Sequence, residues 1–168
     1  MDKIFSDNKT LARLFLLMAT APLVLALASQ YLFGLKPCEL CVFQRIPYMA
    51  IILFSFLAIK RPRLKIFLFS AIMIIHAFLI DAGIAFYHIG VEKHWWIHGN
   101  CASTLNMDSI EALRASILAT PAVRCDDIQF ELLGLSMAGW NFIYALCAGI
   151  FSIYALAKFI KLRSHETK

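Results

Sequence analysis

Residues 66–89 read IFLFSAIMIIHAFLIDAGIAFYHI, and this stretch decides the fold class of the protein. It holds one acidic residue, Asp81, and no Lys, Arg or Glu. A helix needs about 20 mostly apolar residues to cross the hydrocarbon core of a bilayer. A segment this long and this apolar therefore predicts a membrane-spanning helix.

Three other segments have the same character, and together the four use up most of the chain. Membrane spans are predicted at about residues 14–35, 42–59, 66–89 and 132–157. The composition agrees, because 61% of the 168 residues are hydrophobic and 16% are charged. Soluble domains carry about 45–50% apolar and about 25% charged residues. We predict an all-α membrane protein, a four-transmembrane-helix bundle that forms a single domain over residues 1–168.

The basic residues predict how this bundle is oriented. Most of the 16 Lys and Arg residues stand before the first span, between the second and third, or after the fourth. Cytoplasmic loops carry an excess of Lys and Arg, so both termini are expected to be cytoplasmic and residues 90–131 to form an outer loop. The net charge of +5 is then an anchoring signal. A nucleic-acid partner is not expected, because no basic stripe alternates with exposed aromatic residues.

The outer loop is expected to contain a short helix. Asp108 and Glu111 fit a capping box at its start, and Pro121 marks its end. Its apolar residues share one face, so the helix is expected to lie flat on the membrane surface. An ordinary loop helix that covers the bundle is the alternative. Trp95 and Trp96, at the start of the loop, fit an interfacial aromatic belt.

Four cysteines fall on the outer side of the predicted bundle. Cys38 and Cys41 form a Cys-Glu-Leu-Cys motif at the start of the second span, after Pro37, which suits the first position of a helix. They would lie about one turn apart, within reach of a disulfide. Cys101 and Cys125 lie in the loop. Two cysteine pairs gathered on one side of a membrane indicate thiol–disulfide chemistry.

Arg45 belongs to the same predicted face as Cys41, one helical turn deeper. A thiolate near a helix N-terminus is favoured by the helix dipole and the unpaired N–H groups. The guanidinium could stabilise such a thiolate or a reduced, anionic electron acceptor. A structural disulfide and half of a four-cysteine zinc site are the alternative interpretations of the motif.

Four motifs stand out along the chain: KPCELCVFQR at 36–45, YHIGVE at 87–92, RCDD at 124–127 and LGLSMAGWN at 133–141. Taken together, they resemble the DsbB family of bacterial inner-membrane disulfide bond formation proteins. They run from the second span to the start of the fourth, and the four-span layout extends the resemblance to the whole chain. The combination is much more specific than a single Cys-x-x-Cys motif.

The resemblance implies a catalytic role for each of the four outer cysteines. Cys101–Cys125 would be the disulfide attacked by a reduced periplasmic thioredoxin-fold oxidase of the DsbA type, with Cys101 in the mixed disulfide. Cys38–Cys41 would reoxidise the loop pair, with Cys38 exchanging with Cys125 and Cys41 facing a membrane quinone. Thiolate attack through mixed disulfides can pass two electrons at a time along such a series.

The resemblance also implies a quinone as cofactor, either ubiquinone or menaquinone, and no metal. Arg45 and His88 match the family's quinone-site residues. The expected activity is that of a protein-disulfide:quinone oxidoreductase in the bacterial inner membrane, with its redox sites on the periplasmic side. The alternatives are a DsbB-like paralogue that serves a different thioredoxin-fold partner, and a non-enzymatic membrane protein whose cysteines are structural or bind metal.

Three polar or reactive residues inside the spans remain. Asp81 and His76 lie in the third span, where ionisable groups are rare and usually functional. Asp81 could belong to a proton path near the quinone, or it could be a buried group hydrogen-bonded to span-four side chains such as Ser136 or Asn141. Cys147, in the fourth span, is expected to be a packing residue.

Overall fold

The structure is a computed structural model that describes residues 5–96, 110–111 and 124–166. Five helices and one short hairpin are found in these ranges. In chain order they are α1 (Asn8–Leu32), α2 (Glu39–Phe43), α3 (Arg45–Lys60), α4 (Leu64–Glu92), β1 (Glu131–Leu132), β2 (Leu135–Ser136) and α5 (Met137–Glu166). Cys101 and most of the predicted loop helix lie outside the described residues, but Ile110 and Glu111 are helical.

Within the described ranges, four helical segments are long and apolar enough to cross a membrane. They are Asn8–Leu32, Glu39–Lys60, Leu64–Glu92 and Met137–His165. The second of these comprises α2 and α3, which follow each other with a break at Gln44. The predicted four-helix membrane protein is therefore confirmed.

Both described chain ends lie at one end of the bundle, together with the turn between α3 and α4. Asn8 donates a hydrogen bond from its side-chain amide to the carbonyl of Pro62, at 2.8 Å. Near the other terminus, the Lys158 ammonium lies 4.6 Å from the centre of the Phe5 ring. We call this the basic end, because the turn there holds Arg61 and Arg63. The end of α1, the start of α2, the end of α4 and the start of α5 meet at the opposite end, the thiol end.

The core lies between α4 and the helices on either side of it. α4 packs against α3 and α5, and α1 packs against α3. Phe67 of α4 and Phe159 of α5 are both fully buried, with ring centres 4.7 Å apart. Small residues on α5 allow α4 to approach closely, as in other membrane bundles; they are Ala145, Ala148, Ser152 and Ala155.

Pro22 shows how the bundle compensates for a proline within a span. Proline has no N–H, so the carbonyl four residues earlier loses its helical partner. That carbonyl belongs to Met18, and it accepts a hydrogen bond of 2.6 Å from the Tyr144 hydroxyl on α5. The neighbouring helix thus satisfies the freed group, as expected for membrane helices. The second proline, Pro47, lies one turn after the break between α2 and α3, where its ring clashes least with a regular helix.

The fourth span begins later than the predicted start at residue 132. Residues 131–136 form a two-stranded hairpin in which Glu131 pairs with Ser136 and Leu132 with Leu135. Leu133 and Gly134, at the tip, have φ values of 56° and 77°, as a tight two-residue hairpin turn requires. The prediction included the leucines of the hairpin in the span because they are apolar. Hydropathy reports polarity alone and does not detect a turn.

Candidate functional site

Cys38 and Cys41 meet at the first turn of α2. The helix begins at Glu39, so Cys38 occupies the N-cap position and Pro37 precedes the helix. The Cys38 sulfur accepts a hydrogen bond from the backbone N–H of Cys41 at 3.4 Å, and the two sulfurs lie 3.1 Å apart. The pair is thus present as two thiols, at a separation from which a small rotation would bring the sulfurs to the bonding distance of about 2.05 Å.

The two thiols of the pair are not equivalent. Cys38 is buried, with 5% of its surface exposed, and its thiol donates to the Cys41 sulfur. That hydrogen bond, together with burial, raises the pKa of Cys38 to about 12. The thiol form of Cys38 is therefore favoured.

His88, on the last turns of α4, faces this pair. Its Nε2 lies 3.5 Å from the Cys38 sulfur and 3.9 Å from Oε1 of Glu92. The other oxygen of Glu92 accepts a 2.5 Å hydrogen bond from the Ser136 hydroxyl, and that hydroxyl accepts one from the Gly139 N–H at the start of α5. Glu92 therefore connects His88 to the N-terminus of α5 and holds the end of α4 in place.

Cys125 lies beside the same pair, although most of the loop before it is outside the described residues. It is 2% exposed and belongs to a buried cluster with Cys38, Leu40 and Val91, against which Cys41 packs. The adjacent Arg124 makes two hydrogen bonds to Asp126, of 2.9 and 2.6 Å. These bonds hold the pKa of Asp126 below its usual value. The structure thus brings together three of the four predicted cysteines.

Trp96 covers this cluster because α4 ends in a tight reverse turn. The Trp95 N–H bonds back to the Gly90 carbonyl at 2.8 Å, and His94 has a positive φ of 57°. The Trp96 ring then stacks on Tyr87, with ring centres 5.5 Å apart, and its N–H donates to the Tyr87 carbonyl. A Cβ at Gly90 would overlap this ring, so only glycine permits the arrangement. The sequence predicted Trp96 only as part of an interfacial aromatic belt. Its packing against the buried cluster of Cys38 and Cys125 was not predicted.

Arg45 opens α3 just below the thiol pair. Its Nη1 donates a 2.8 Å hydrogen bond to the side-chain carbonyl of Gln30 on α1. Its Nε and the Nε2 of Gln44 are buried and have no hydrogen-bond partner among the described residues. The guanidinium is close enough to Cys41 for its charge to act on that sulfur. Gln30 and Gln44 were not among the predicted site residues, and their only sequence signal is polarity near the end of an apolar span.

The Cys38 and Cys41 sulfurs and a ring nitrogen of His88 form a potential metal-ligand set. These three atoms all lie within 4.8 Å of one another. Thiolate sulfur and imidazole nitrogen are the usual ligands of zinc. The site thus combines the geometry of a redox-active dithiol with that of an incomplete metal centre.

The sequence also singled out three residues within the spans, and they make contacts apart from the thiol pair. Asn141 donates to Asp81 at 3.0 Å and accepts a 2.6 Å bond from the Tyr48 hydroxyl, so Asp81 is bonded to span four as one of the two alternatives expected. His76 bonds to the Ile72 carbonyl of its own helix. Cys147 is exposed on the surface of α5 instead of packed in the bundle.

Comparison with known proteins identifies the family of the chain. Residues 8–155 match the family model of DsbB, the disulfide bond formation protein DsbB. Disulfide bond formation protein B of Xanthomonas euvesicatoria pv. vesicatoria is 29% identical over 144 residues, which are 79% of this chain and 81% of that protein. The protein of that name from Haemophilus influenzae is 26% identical over 168 residues, covering 98% and 95%. An uncharacterized protein of Rickettsia prowazekii is 26% identical over 147 residues, covering 85% and 84%. Because the family match covers most of the chain, the protein belongs to the DsbB family and is a multi-pass membrane oxidoreductase of disulfide bond formation.

Proposed function

We propose that the protein is a protein-disulfide:quinone oxidoreductase of the bacterial inner membrane. It oxidises a periplasmic thioredoxin-fold dithiol protein of the DsbA type. It passes the electrons through Cys101–Cys125 and Cys38–Cys41 to a membrane quinone. The observation that carries this proposal is the burial of Cys125 against Cys38, which brings a loop cysteine to the membrane pair.

The first exchange takes place in the loop. A thiolate of the reduced partner attacks Cys101, the Cys101–Cys125 bond breaks, and Cys125 leaves as a thiolate. Cys125 then attacks Cys38 of the Cys38–Cys41 disulfide, and Cys41 leaves as a thiolate. A good leaving thiolate speeds such exchange, and the charge of Arg45 acts on Cys41.

Two further exchanges complete the transfer. The second thiol of the partner attacks the partner's own sulfur in its bond to Cys101, so the partner leaves as a disulfide and Cys101 is freed. Cys101 then attacks Cys125 in the Cys125–Cys38 bond, and Cys38 is released. The loop disulfide is restored, and the two electrons rest on the reduced Cys38–Cys41 pair.

His88 and Glu92 are placed to move the proton of Cys38. Cys38 must lose its proton before the pair can return to the disulfide, and the nearest ring nitrogen of His88 is 3.5 Å from its sulfur. Glu92, 3.9 Å from the same nitrogen, stabilises the ring when it takes up that proton. The same step in reverse protonates Cys38 when the pair is reduced.

The residues below the thiols fit a quinone, the acceptor that the family implies. A quinone presents carbonyl oxygens, which need hydrogen-bond donors in a buried site. Gln44 Nε2 and Arg45 Nε are such donors, and both are buried without a partner in the described part of the chain, as is His88 Nδ1. Arg45 and His88 would bind and orient the head group, and Arg45 would add a fixed positive charge. Once bound, a quinone supplies the two-electron, two-proton acceptor that the dithiol requires.

The proposed location follows from the charge at the two ends of the bundle. Both described chain ends and the turn with Arg61 and Arg63 lie at the basic end, and this arrangement supports cytoplasmic termini. The thiol end would then face the periplasm, where disulfides persist. A membrane-impermeant thiol reagent applied to reduced, intact spheroplasts should label Cys101 of the predicted outer loop, because Cys125 is buried. Labelling only after permeabilisation would invert the orientation.

The central experiment measures quinone reduction by the purified full-length protein. A reduced DsbA-type partner is added with ubiquinone or menaquinone, and the loss of quinone is followed by absorbance. Serine at Cys38, Cys41, Cys101 or Cys125 should abolish turnover, whereas Cys147→Ala is the matched control and should keep it. Full turnover by the Cys125→Ser variant would refute the relay through two pairs.

A further inference from the structure

We propose that the reduced Cys38–Cys41 pair and His88 form a redox-gated binding site for a thiophilic divalent ion of the zinc class. Occupation of this site would stop electron transfer. The inference goes beyond the proposed quinone reaction, because metal binding needs only the reduced dithiol and the imidazole. It uses the three atoms that lie within 4.8 Å of one another at the thiol end.

The distances among the ligand atoms suit a tetrahedral zinc ion. Bond lengths of about 2.3 Å to sulfur and about 2.0–2.1 Å to nitrogen place two ligands about 3.8 Å apart for S···S and about 3.6 Å apart for S···N. The Cys38 sulfur is 3.5 Å from His88 Nε2, which is already the required spacing. The two sulfurs, at 3.1 Å, must separate by about 0.7 Å to reach the spacing set by the bond lengths. A side-chain rotation at Cys41 is sufficient for that.

Charge and burial also favour the metal. Cys38 is 5% exposed, so two thiolates at this position would be a buried double negative charge, of which the single charge of Arg45 can offset only one. A divalent cation neutralises both thiolates. Glu92 Oε1, 3.9 Å from His88 Nε2, could take the fourth position. A soft thiolate set selects zinc or cadmium over magnesium and calcium.

The redox state of the pair controls the site. Binding replaces one proton on each thiol, so one Zn²⁺ and two thiols give a zinc dithiolate and two free protons, with no change of oxidation state. In the disulfide the sulfurs are about 2.05 Å apart and carry no thiolate, so the same residues cannot bind the ion. The metal therefore binds only after the pair has been reduced. The metal-bound sulfurs cannot react with the quinone, so the two electrons stay on the pair.

The test compares reduced and oxidised full-length protein in detergent. Zn²⁺ is titrated against a competing chromophoric chelator, and Co²⁺ is used as a probe whose visible spectrum reports sulfur ligands and tetrahedral geometry. We expect one ion per reduced chain and none per oxidised chain. Cys41→Ser should abolish binding, and His88→Gln should weaken it by about tenfold or more. Cys147→Ser and His76→Gln are the matched controls and should bind as the wild type does.

Two results would overturn the inference. One is equal binding by the reduced and oxidised wild type, a comparison that needs no variant to fold. The other is binding that survives in Cys41→Ser but is lost in the Cys101→Ser/Cys125→Ser double variant, which would place the metal in the loop. Quinone reduction, measured with a chelator present, separates this inference from the proposed function. A protein that turns over but binds no zinc refutes only the metal site, whereas one that binds zinc but never reduces quinone refutes only the reaction.

Discussion

Replacement of Arg45 by methionine tests the proposed quinone site most directly. The guanidinium donates a 2.8 Å hydrogen bond to Gln30 and keeps its Nε buried and free of described partners. Methionine preserves most of the side-chain length but removes the charge and every donor. A hydrogen bond to a charged group contributes about 1.5–3 kcal/mol, so the variant should use quinone about ten- to a hundredfold less well.

The assay separates the quinone step from the partner step. Quinone is titrated at saturating reduced partner, and the expected change is a higher apparent KM. Exchange between the partner and the loop disulfide is measured in a single turnover without quinone, and it should stay near the wild-type rate. Arg45→Lys keeps the charge but lacks the planar fork, so it should lose less. Gln30→Met is the matched control, because it removes the anchor of the guanidinium and leaves its charge, and it should produce only a small loss.

One pattern of results would refute this reasoning. If Arg45→Met kept wild-type quinone kinetics but lost partner oxidation, Arg45 would serve the docking of the partner. The buried Nε would then have some other ligand, and the proposed position of the quinone would be wrong. A uniform loss in both steps, with a lower melting temperature, would instead identify the Arg45–Gln30 bond as structural.

Three further predictions follow from the packing of the bundle and the thiol end. Gly90→Ala should displace the Trp96 ring, so tryptophan fluorescence should change and alkylation of the buried thiols should speed up; unchanged spectra and rates would contradict the close contact. Asp81→Ala should lower the free energy of unfolding in detergent by about 1–2 kcal/mol, because it leaves a buried amide donor unpaired, whereas Asp81→Asn keeps an acceptor and should lose less. Because the hydrogen bond to Cys41 raises the pKa of Cys38 to about 12, alkylation of Cys38 should keep rising with pH well above 9. The Cys41→Ala variant, which has no acceptor at this position, should reach its plateau at lower pH, and identical pH profiles would refute the coupling.

The sequence was sufficient to predict the four helices, because span length and apolar content are local properties. It failed at the start of α5, where the same leucine-rich composition forms a hairpin around Gly134. It also could not reveal the bond between Arg45 and Gln30. That contact depends on the rotation of α1 against α3, which side-chain packing decides and apolar periodicity alone does not specify.

The candidate site was predictable in its residues but not in its contacts. Cys38, Cys41 and His88 were chosen from motifs, and the structure places them within one cluster. The role of Glu92 was not predicted, because its ties to His88 and Ser136 join two helix ends that are distant in the sequence. The hydrogen bond between Asp81 and Asn141 could be predicted as one of two alternatives. Both residues are polar groups within apolar spans, and such groups usually pair with each other.

The dithiol and Arg45 lie close together in the sequence, and the two steps of the proposed reaction, thiol exchange and quinone reduction, account for this spacing. Exchange with the loop cysteine Cys125 needs a thiol at the end of the bundle, and the N-cap of α2 places Cys38 there, where the first N–H groups of a helix lack partners. Reduction of a lipid-soluble acceptor needs a charge slightly deeper in the apolar layer. Arg45 is four residues past Cys41, about 6 Å along a helix, and the break before α3 turns its side chain towards Gln30 on α1. One helix start can therefore meet the loop cysteine with its cap and the proposed acceptor with its next turn, and this explains why the dithiol and the arginine occupy the same short segment.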